Sequence, residues 1–196
     1  MFELDNVTVD PRAAQFGIRA MARVIDIVVA FLLGIVVVIV AFVVLVIRRQ
    51  PGDPRLWAQH MGGFSLASLA VSLAGNALYH SLSEFVGGAS LGKLVCGLRV
   101  VSEDFTPVSF RGAFIRSIAF PVDGLFFGYI GYRSMKVSPL AQRNGDHWGN
   151  TAVVRLRNFK DSARGPVLVL LGLGMGLAAW VIVQVVFLVA KVATAT

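Results

Sequence analysis

Two copies of a short charged pattern carry the clearest chemistry in this sequence. Each copy reads R-x-h-A-x-x-h-D, where h is an apolar residue, and the copies run from Arg19 to Asp26 and from Arg116 to Asp123. The Arg precedes the Asp by seven residues in both, so the two side chains lie on one face of a helix. Paired carboxylates in apolar segments can bind a cation or relay protons. The alternative is structural, with Arg and Asp neutralising each other between segments.

A stripe of polar residues marks a second apolar segment. Its members follow one another at spacings of three, four, four and four residues, and they are Ser65, Ser68, Ser72, Asn76 and His80. We expect Asn76 and His80 to lie at about the depth of Asp26, where a His–Asp contact would titrate near neutral pH. The alternative is a helix-packing face of small residues, in which Asn and His form interhelical hydrogen bonds.

Residues 88–101 form a dense run of Gly, Lys and Arg, G-A-S-L-G-K-L-V-C-G-L-R-V-V. The run lacks the G-x-x-x-x-G-K-[ST] pattern of nucleotide-binding loops, so we do not expect it to bind a nucleotide. A cytoplasmic loop that contacts lipid headgroups is the favoured interpretation. The residues assigned to this loop are Gly88, Ser90, Gly92, Lys93, Gly97 and Arg99.

The composition is that of an integral membrane protein. Hydrophobic residues make up 56% of the 196, against about 45–50% in soluble domains. Val24–Ile47, Met61–Leu82 and Val167–Val189 are long and apolar enough to cross a bilayer. The net charge of +7 fits Lys and Arg held on the cytoplasmic side, and no nucleic-acid-binding motif accompanies it.

The segment 110–132 decides the topology. If it spans the membrane and the amino terminus is inside, eight basic residues lie inside and ten outside. If it enters and returns to the same side, the split becomes 14 inside and 4 outside, which satisfies the positive-inside bias. Pro121 and Gly124 are the expected turn of such a re-entrant hairpin.

Two β-prone runs support the re-entrant interpretation. Gly97–Ser102 and Thr151–Leu156 are apolar, β-branched and of strand length, and lone strands have open edges, so we expect them to pair. The predicted fold is an all-α membrane protein. It is a helical bundle of three full spans plus a re-entrant helical hairpin, with a small cytoplasmic two-stranded β element. Four full spans are the alternative.

Catalysis has no support in the sequence. No Ser–His–Asp arrangement, H-E-x-x-H or paired metal-ligand motif is present, and Cys96 is the single cysteine. We therefore expect neither an enzyme nor a bound cofactor or metal. Gly172 and Gly176 give the last span a G-x-x-x-G face, which permits close helix packing within the chain or with a second copy.

These motifs together resemble the RDD family of membrane proteins, named for an arginine and two aspartates. Residues 19–26 fit the family's R-x-x-A-x-x-I-D opening, and residues 88–101 fit its central G-x-S-L-G-K-x-x-x-G-L-R-V-V at every specified position. Residues 142–146, Q-R-N-G-D, resemble its Q-R-x-G-D element. Asp123 and Asp146 both stay candidates for the second aspartate. Asn150 stands where the family prefers Gly.

The resemblance implies a multi-pass membrane protein, which we expect in the cell membrane, in bacteria the inner or plasma membrane. The distribution of basic residues places its amino terminus in the cytoplasm. The resemblance divides the chain into a tail (1–15), the RDD membrane domain (16–157), and a linker with an additional carboxy-terminal helix (158–196). The implied activity is transport of a small ion or solute, with cation–proton exchange in some relatives. Residues expected on the pathway are Arg19, Asp26, Asn76, His80, Arg116, Asp123 and Asp146.

Partners follow from the small number of helices. Three or four helices rarely enclose a pathway alone, so a transporter of this size is expected to be a homo-oligomer in the lipid bilayer. The alternative function is a non-catalytic membrane adaptor or assembly factor that binds another membrane protein or anionic lipid through its basic cytoplasmic region. No nucleic-acid partner is expected.

Overall fold

The structure is a computed structural model that describes residues 9–47, 65–160 and 164–193. In chain order its elements are α1 (Phe16–Ile47), α2 (Leu66–Gly87), α3 (Leu91–Val95), β1 (Leu98–Ser102), α4 (Phe110–Ile118), α5 (Phe120–Val137), α6 (Asn144–Trp148), β2 (Thr151–Arg155) and α7 (Pro166–Ala193). The mostly helical fold with a small two-stranded sheet agrees with the prediction.

Two described helices are long and apolar enough to cross a membrane. They are α1, over Phe16–Val40, and α7, over Pro166–Ala190. The bent pair Phe110–Phe126 and Gly128–Val137 is a third if it counts as one span. The more polar α2 is not among these candidates, so the predicted span at Met61–Leu82, whose first four residues lie outside the described part, stays a prediction.

The G-x-x-x-G face of α7 packs against α2 within the chain. The most extensive helix packing of the described residues is between these two helices. A Cβ at Gly172 would lie 2.5 Å from the backbone nitrogen of Gly87, and one at Gly176 would lie 2.7 Å from the carbonyl oxygen of Tyr79. The two glycines therefore let the helix backbones come close, as the motif predicts.

Replacing Gly172 by alanine is expected to cost about 1–3 kcal/mol of stability, the usual range for overpacking. The new methyl group would meet backbone atoms of Gly87, which cannot rotate away. Gly174→Ala is the matched control, because its Cβ would meet nothing within 4 Å and alanine favours a helix. Unfolding midpoints in detergent micelles measure both variants, and equal midpoints would contradict the packing.

The predicted pairing of the two β-prone runs is confirmed. β1 and β2 are antiparallel, with Leu98 opposite Arg155 and Ser102 opposite Thr151. The segment before α1 extends this sheet, because the amide of Ala14 donates to the carbonyl of Val153 at 2.8 Å. The described part of the predicted tail is thus packed on β2.

A hydrophobic core lies between the sheet and the helices next to it. Its buried residues come from the segment before α1, from α1, from both strands, from the loop before α4 and from α4 itself, and they are Ala14, Ala22, Leu98, Val100, Val108, Ala113 and Val153. The strands expose little of either face, since four of the five residues in each are buried. This core holds α1, α4 and the sheet in fixed positions.

The segment 110–132 bends at a different place from the predicted one. The first helix ends at Ile118, and Pro121 occupies the first turn of α5, where its missing N–H costs nothing. The sharp bend of 106° falls between Phe126 and Gly128, both of which have a positive φ. Gly124 lies inside the helix, so the prediction of a turn there is wrong. Such a bend fits a broken span or a re-entrant loop.

Candidate functional site

Asp146 lies at the centre of a buried ion-pair network. Its carboxylate, with no exposed surface, accepts hydrogen bonds from Arg19 Nη1 at 2.6 Å and from Arg116 Nε and Nη2 at 3.0 and 2.8 Å. The backbone amide of Arg143 adds a bond of 3.2 Å. One side chain of α6 therefore joins α1 and α4. Buried charges persist when they are paired and hydrogen-bonded in this way.

The charge of Asp146 follows from these partners. Burial alone would raise the pKa of the carboxyl, but the guanidinium groups of Arg116, Arg19 and Arg143 outweigh burial and hold the pKa below its usual value. The residue is therefore ionised at neutral pH, and its charge is part of the folded structure.

Glu84 extends the network to two further elements. Its Oε2 accepts a bond from Arg116 Nη1 at 2.6 Å and its Oε1 accepts one from Lys93 Nζ at 2.7 Å. Burial lowers the pKa of Lys93, and the carboxylate of Glu84 only partly opposes that shift. Arg116 thus bridges two buried carboxylates, one from α2 and one from α6.

Neither copy of the R-x-h-A-x-x-h-D pattern pairs its own Arg with its own Asp. Arg19 and Arg116 both bind Asp146, while Asp26 and Asp123 accept hydrogen bonds from neutral donors. The two arginines therefore form structural ion pairs, as the structural interpretation of the pattern expects, but with Asp146 as their partner. The two aspartates of the pattern lie among neutral hydrogen-bond donors.

Asp26 joins α1 to α2 and to the first turn of α3 with its N-cap residue. Its Oδ1 accepts bonds from Tyr79 OH at 3.1 Å and from the amide of Gly92 at 2.8 Å, and its Oδ2 accepts one from Ser90 Oγ at 2.7 Å. The hydroxyl of Tyr79 in turn accepts a bond from the amide of Leu91. Asp26 is buried and its three donors are neutral, and no cationic side chain of the described residues forms an ion pair with it.

Asp123 has a simpler environment. Its Oδ2 accepts a bond from the amide of Gly145 at 3.1 Å and its Oδ1 accepts one from Asn144 Nδ2 at 3.1 Å. Both donors belong to the first turn of α6, so Asp123 fixes α6 to α5 as a buried cap.

His80 and Asn76 meet Arg23 of α1. The Arg23 guanidinium donates to Asn76 Oδ1 at 3.1 Å, contacts His80 Nε2 through Nη1, and lies 3.6 Å from the centre of the Phe120 ring. His80 Nδ1 faces Glu84 Oε1 at 3.5 Å without a hydrogen bond. The stripe on α2 therefore connects the ion-pair network to α1.

A small cavity of about 10 Å³ lies between α1, α2 and α7, close to the space that one water molecule needs. Asp26, Asn76, Tyr79 and His80 line its polar part. The remaining lining residues are apolar, and they are Val29, Ala30, Leu33, Leu177 and Trp180. The structure thus brings together the three residues that the sequence analysis placed at one depth.

The Gly-rich loop turns its cations inward. Lys93 is 9% exposed and bound to Glu84, and Arg99 is 6% exposed and donates to the carbonyl of Gly87 at 2.8 Å. Gly88 has a φ of 75° and ends α2, and its Cβ would lie 2.9 Å from the side chains of Arg99 and Arg164. The loop therefore packs the bundle, with Ser90 and Gly92 on Asp26 and with Gly97 at a second positive φ.

The sequence analysis missed Glu84 and Tyr79. The stripe from Ser65 to His80 continues with the same spacing of four to Glu84, so the helical periodicity could have identified Glu84. Tyr79 lies beside the stripe, and no pattern in the sequence marks it. In the described ranges, no three His, Cys, Asp or Glu side chains are arranged to hold a metal ion.

Comparison with known proteins identifies the family of this chain. The model of the RDD family matches residues 13–150, a range that contains Arg19, Glu84, Arg116, Asp146 and the loop between α2 and β1. No curated protein and no solved structure gives a significant match. With two described helices apolar enough to cross a membrane and a family match over more than half of its length, this chain is a membrane protein that belongs to the RDD family.

Proposed function

We propose that the protein carries a small cation across the cell membrane in exchange for protons. The observation that carries the proposal is the small cavity that Asp26, Asn76 and His80 share. Asp26 comes ten residues after the start of α1, about 15 Å along a helix. Ionisable groups at that depth are costly and commonly mark ion pathways or proton relays.

His80 supplies a reason for exchange. Because a guanidinium can only donate, the Arg23 contact makes His80 Nε2 the acceptor and leaves the proton of the neutral ring on Nδ1, toward Glu84. A second proton has to displace Arg23 from Nε2. The resulting imidazolium would lie in the same cavity as a cation bound to Asp26, so the two would exclude each other.

The charged and titratable groups around His80 come from three elements. Arg23 and Asp26 face it from α1, Glu84 and Tyr79 belong to α2, and Lys93 approaches from α3. Carboxylates and cations both surround the ring, so proton uptake depends on how far Arg23 moves away.

A homo-oligomer is the second part of the proposal. Only 6% of the most apolar stretch of α1 is buried within the chain, and its exposed side chains include Phe31, Leu32, Ile35 and Val36. A second copy on this face would close the α1 side of the cavity region. A protein that is strictly monomeric in native-like lipid would contradict this part.

The proposed topology has a cytoplasmic amino terminus and a re-entrant α4–α5 segment. Its support is the antiparallel pairing of β1 with β2, which lie on either side of α4–α5 in the sequence. In the proposed topology, this pairing keeps both flanks of the segment on the same side of the membrane. The split of 14 basic residues against 4 favours the cytoplasmic side, although Arg48, Arg49 and Arg55 lie outside the described residues.

The test is flux through proteoliposomes that contain a pH-sensitive dye. Additions of Na⁺, K⁺ or Li⁺ are expected to change the internal pH with wild-type protein, and Asp26→Asn and His80→Gln should abolish that response. Asp26→Asn removes the charge in the cavity, and His80→Gln removes the titrating ring. His147→Gln makes the same change at an exposed position on α6 and should retain flux.

Folded protein that moves no ion under any of these gradients would contradict transport. That outcome would favour the adaptor function, in which the chain binds another membrane protein. Loss of flux in His147→Gln as well would show that His80 has no special part.

A further inference from the structure

A groove open to the surface runs beside the cavity, between α1, α2 and the α4–α5 junction. Its volume is about 580 Å³, within the range of about 300–1,000 Å³ typical of ligand pockets. Most of its lining is apolar, with Ile27, Leu73, Leu78, Phe114, Ile118 and Pro121. Arg23, Asn76 and Ser117 are its polar members.

Arg23 brings to this groove a positive charge that has no ion-pair partner among the described residues. Its partners are the amide of Asn76, the ring of His80 and the face of Phe120, all of them neutral groups. No carboxylate of the described residues lies within ion-pair distance of it, and its Nε has no hydrogen-bond partner. A buried cation normally has a counter-ion, so the groove has room and charge for an anion.

The polar and apolar ends of the groove are ordered along the membrane normal. Arg23 comes seven residues after the start of α1, about 10 Å along the helix and hence near the headgroup boundary. Ile27 on α1 and Leu73 on α2 lie about one turn deeper than Arg23 and Asn76 respectively. The groove therefore offers a cation at the interface and an apolar surface below it.

We infer that this groove binds an anionic phospholipid. The phosphate would accept hydrogen bonds from the Arg23 guanidinium, and an acyl chain would lie on Ile27, Leu73 and Ile118. A zwitterionic lipid would bring its own positive charge next to Arg23. The inference does not depend on transport, since it concerns the groove that Arg23 lines and not the cavity that Asp26 and His80 line.

The experiment counts retained lipid by native mass spectrometry. Protein purified from mixed micelles of phosphatidylglycerol and phosphatidylcholine is expected to keep phosphatidylglycerol preferentially. Arg23→Gln should reduce that preference about fivefold, the contribution of one basic residue near a charged membrane surface. Arg111→Gln is the matched control, because it removes an exposed arginine of α4 that does not line the groove.

A second variant keeps the test informative if Arg23→Gln fails to fold. Ile118→Trp fills the groove from a half-exposed position without changing charge, and it should reduce retention of phosphatidylglycerol in the same assay. Equal retention of both lipids by wild type, or unchanged preference in both groove variants, would overturn the inference. Displacement of the lipid by inorganic phosphate alone would also overturn it, because the acyl chain would then contribute nothing.

Discussion

Asp146→Asn is expected to lower the free energy of unfolding by about 3–5 kcal/mol, the usual effect of removing one partner of a buried ion pair. The change leaves Arg19 and half of the Arg116 fork without a counter-charge in a site with no exposed surface. Asparagine would also present an N–H₂ group to donors only. Unfolding in detergent, followed by the fluorescence of buried Trp180, measures the loss.

Substitutions of two other aspartates serve as comparisons for the loss of stability in Asp146→Asn. Asp123→Asn removes a carboxylate whose partners, Asn144 and Gly145, are neutral, so we expect about 1–2 kcal/mol, the cost of weakened hydrogen bonds. Asp104→Asn changes an exposed residue that bonds only within its own turn and should have little effect. Equal losses for Asp146→Asn and Asp123→Asn would mean that the ion pairs of Asp146 add nothing.

The pH dependence of the Asp146 contribution has a definite sign. The pKa of Asp146 is below its usual value in the folded protein, so its contribution to stability is fully present above the unfolded pKa of about 3.9. It is lost only as the pH falls through the lower folded value. The difference between wild type and Asp146→Asn should therefore stay constant from about pH 5 to pH 8.

The sequence identified several residues of this network but not which of them pair. Helical periodicity predicted that Arg19 and Asp26 lie on one face of a helix, and it did not predict the partner of either residue. The partner of Arg19 lies 127 residues away on α6, and only the packing of α1 against the sheet and α4 brings the two together. Spacing within a segment cannot encode such a contact, because it depends on how separate segments meet.

The two strands and the bend in α5 differ in how far the sequence predicts them. β1 and β2 were predictable, since β-branched runs with open edges must pair. The position of the bend in α5 was not, because Phe126 adopts a positive φ that its residue type does not favour. The inward direction of Lys93 was likewise hidden, because its partner Glu84 belongs to a helix that the sequence marked only as a polar stripe.

Gly92→Ala is expected to be the most damaging glycine-to-alanine change among the glycines that the structure describes. A Cβ at this position would overlap the carbonyl oxygen of Ala22 and lie 2.9 Å from its carbonyl carbon and 3.0 Å from Asp26 Cγ. The amide of Gly92 donates to Asp26 at 2.8 Å, so the backbone cannot retreat without breaking that bond. The cost should reach or exceed the upper end of about 1–3 kcal/mol for overpacking.

The control variants separate this clash from other effects of a loop mutation. Gly17→Ala adds the same methyl group where nothing lies within 4 Å, and its midpoint of unfolding should equal that of wild type. Ala22→Gly should not rescue Gly92→Ala, since the clash is with the backbone of residue 22 and not with its side chain. Full recovery in that double variant, or a wild-type midpoint for Gly92→Ala, would show that α1 and the loop do not pack this closely. In that case the glycine at position 92 would need another explanation, such as a ligand, whereas the contact with α1 explains it by packing alone.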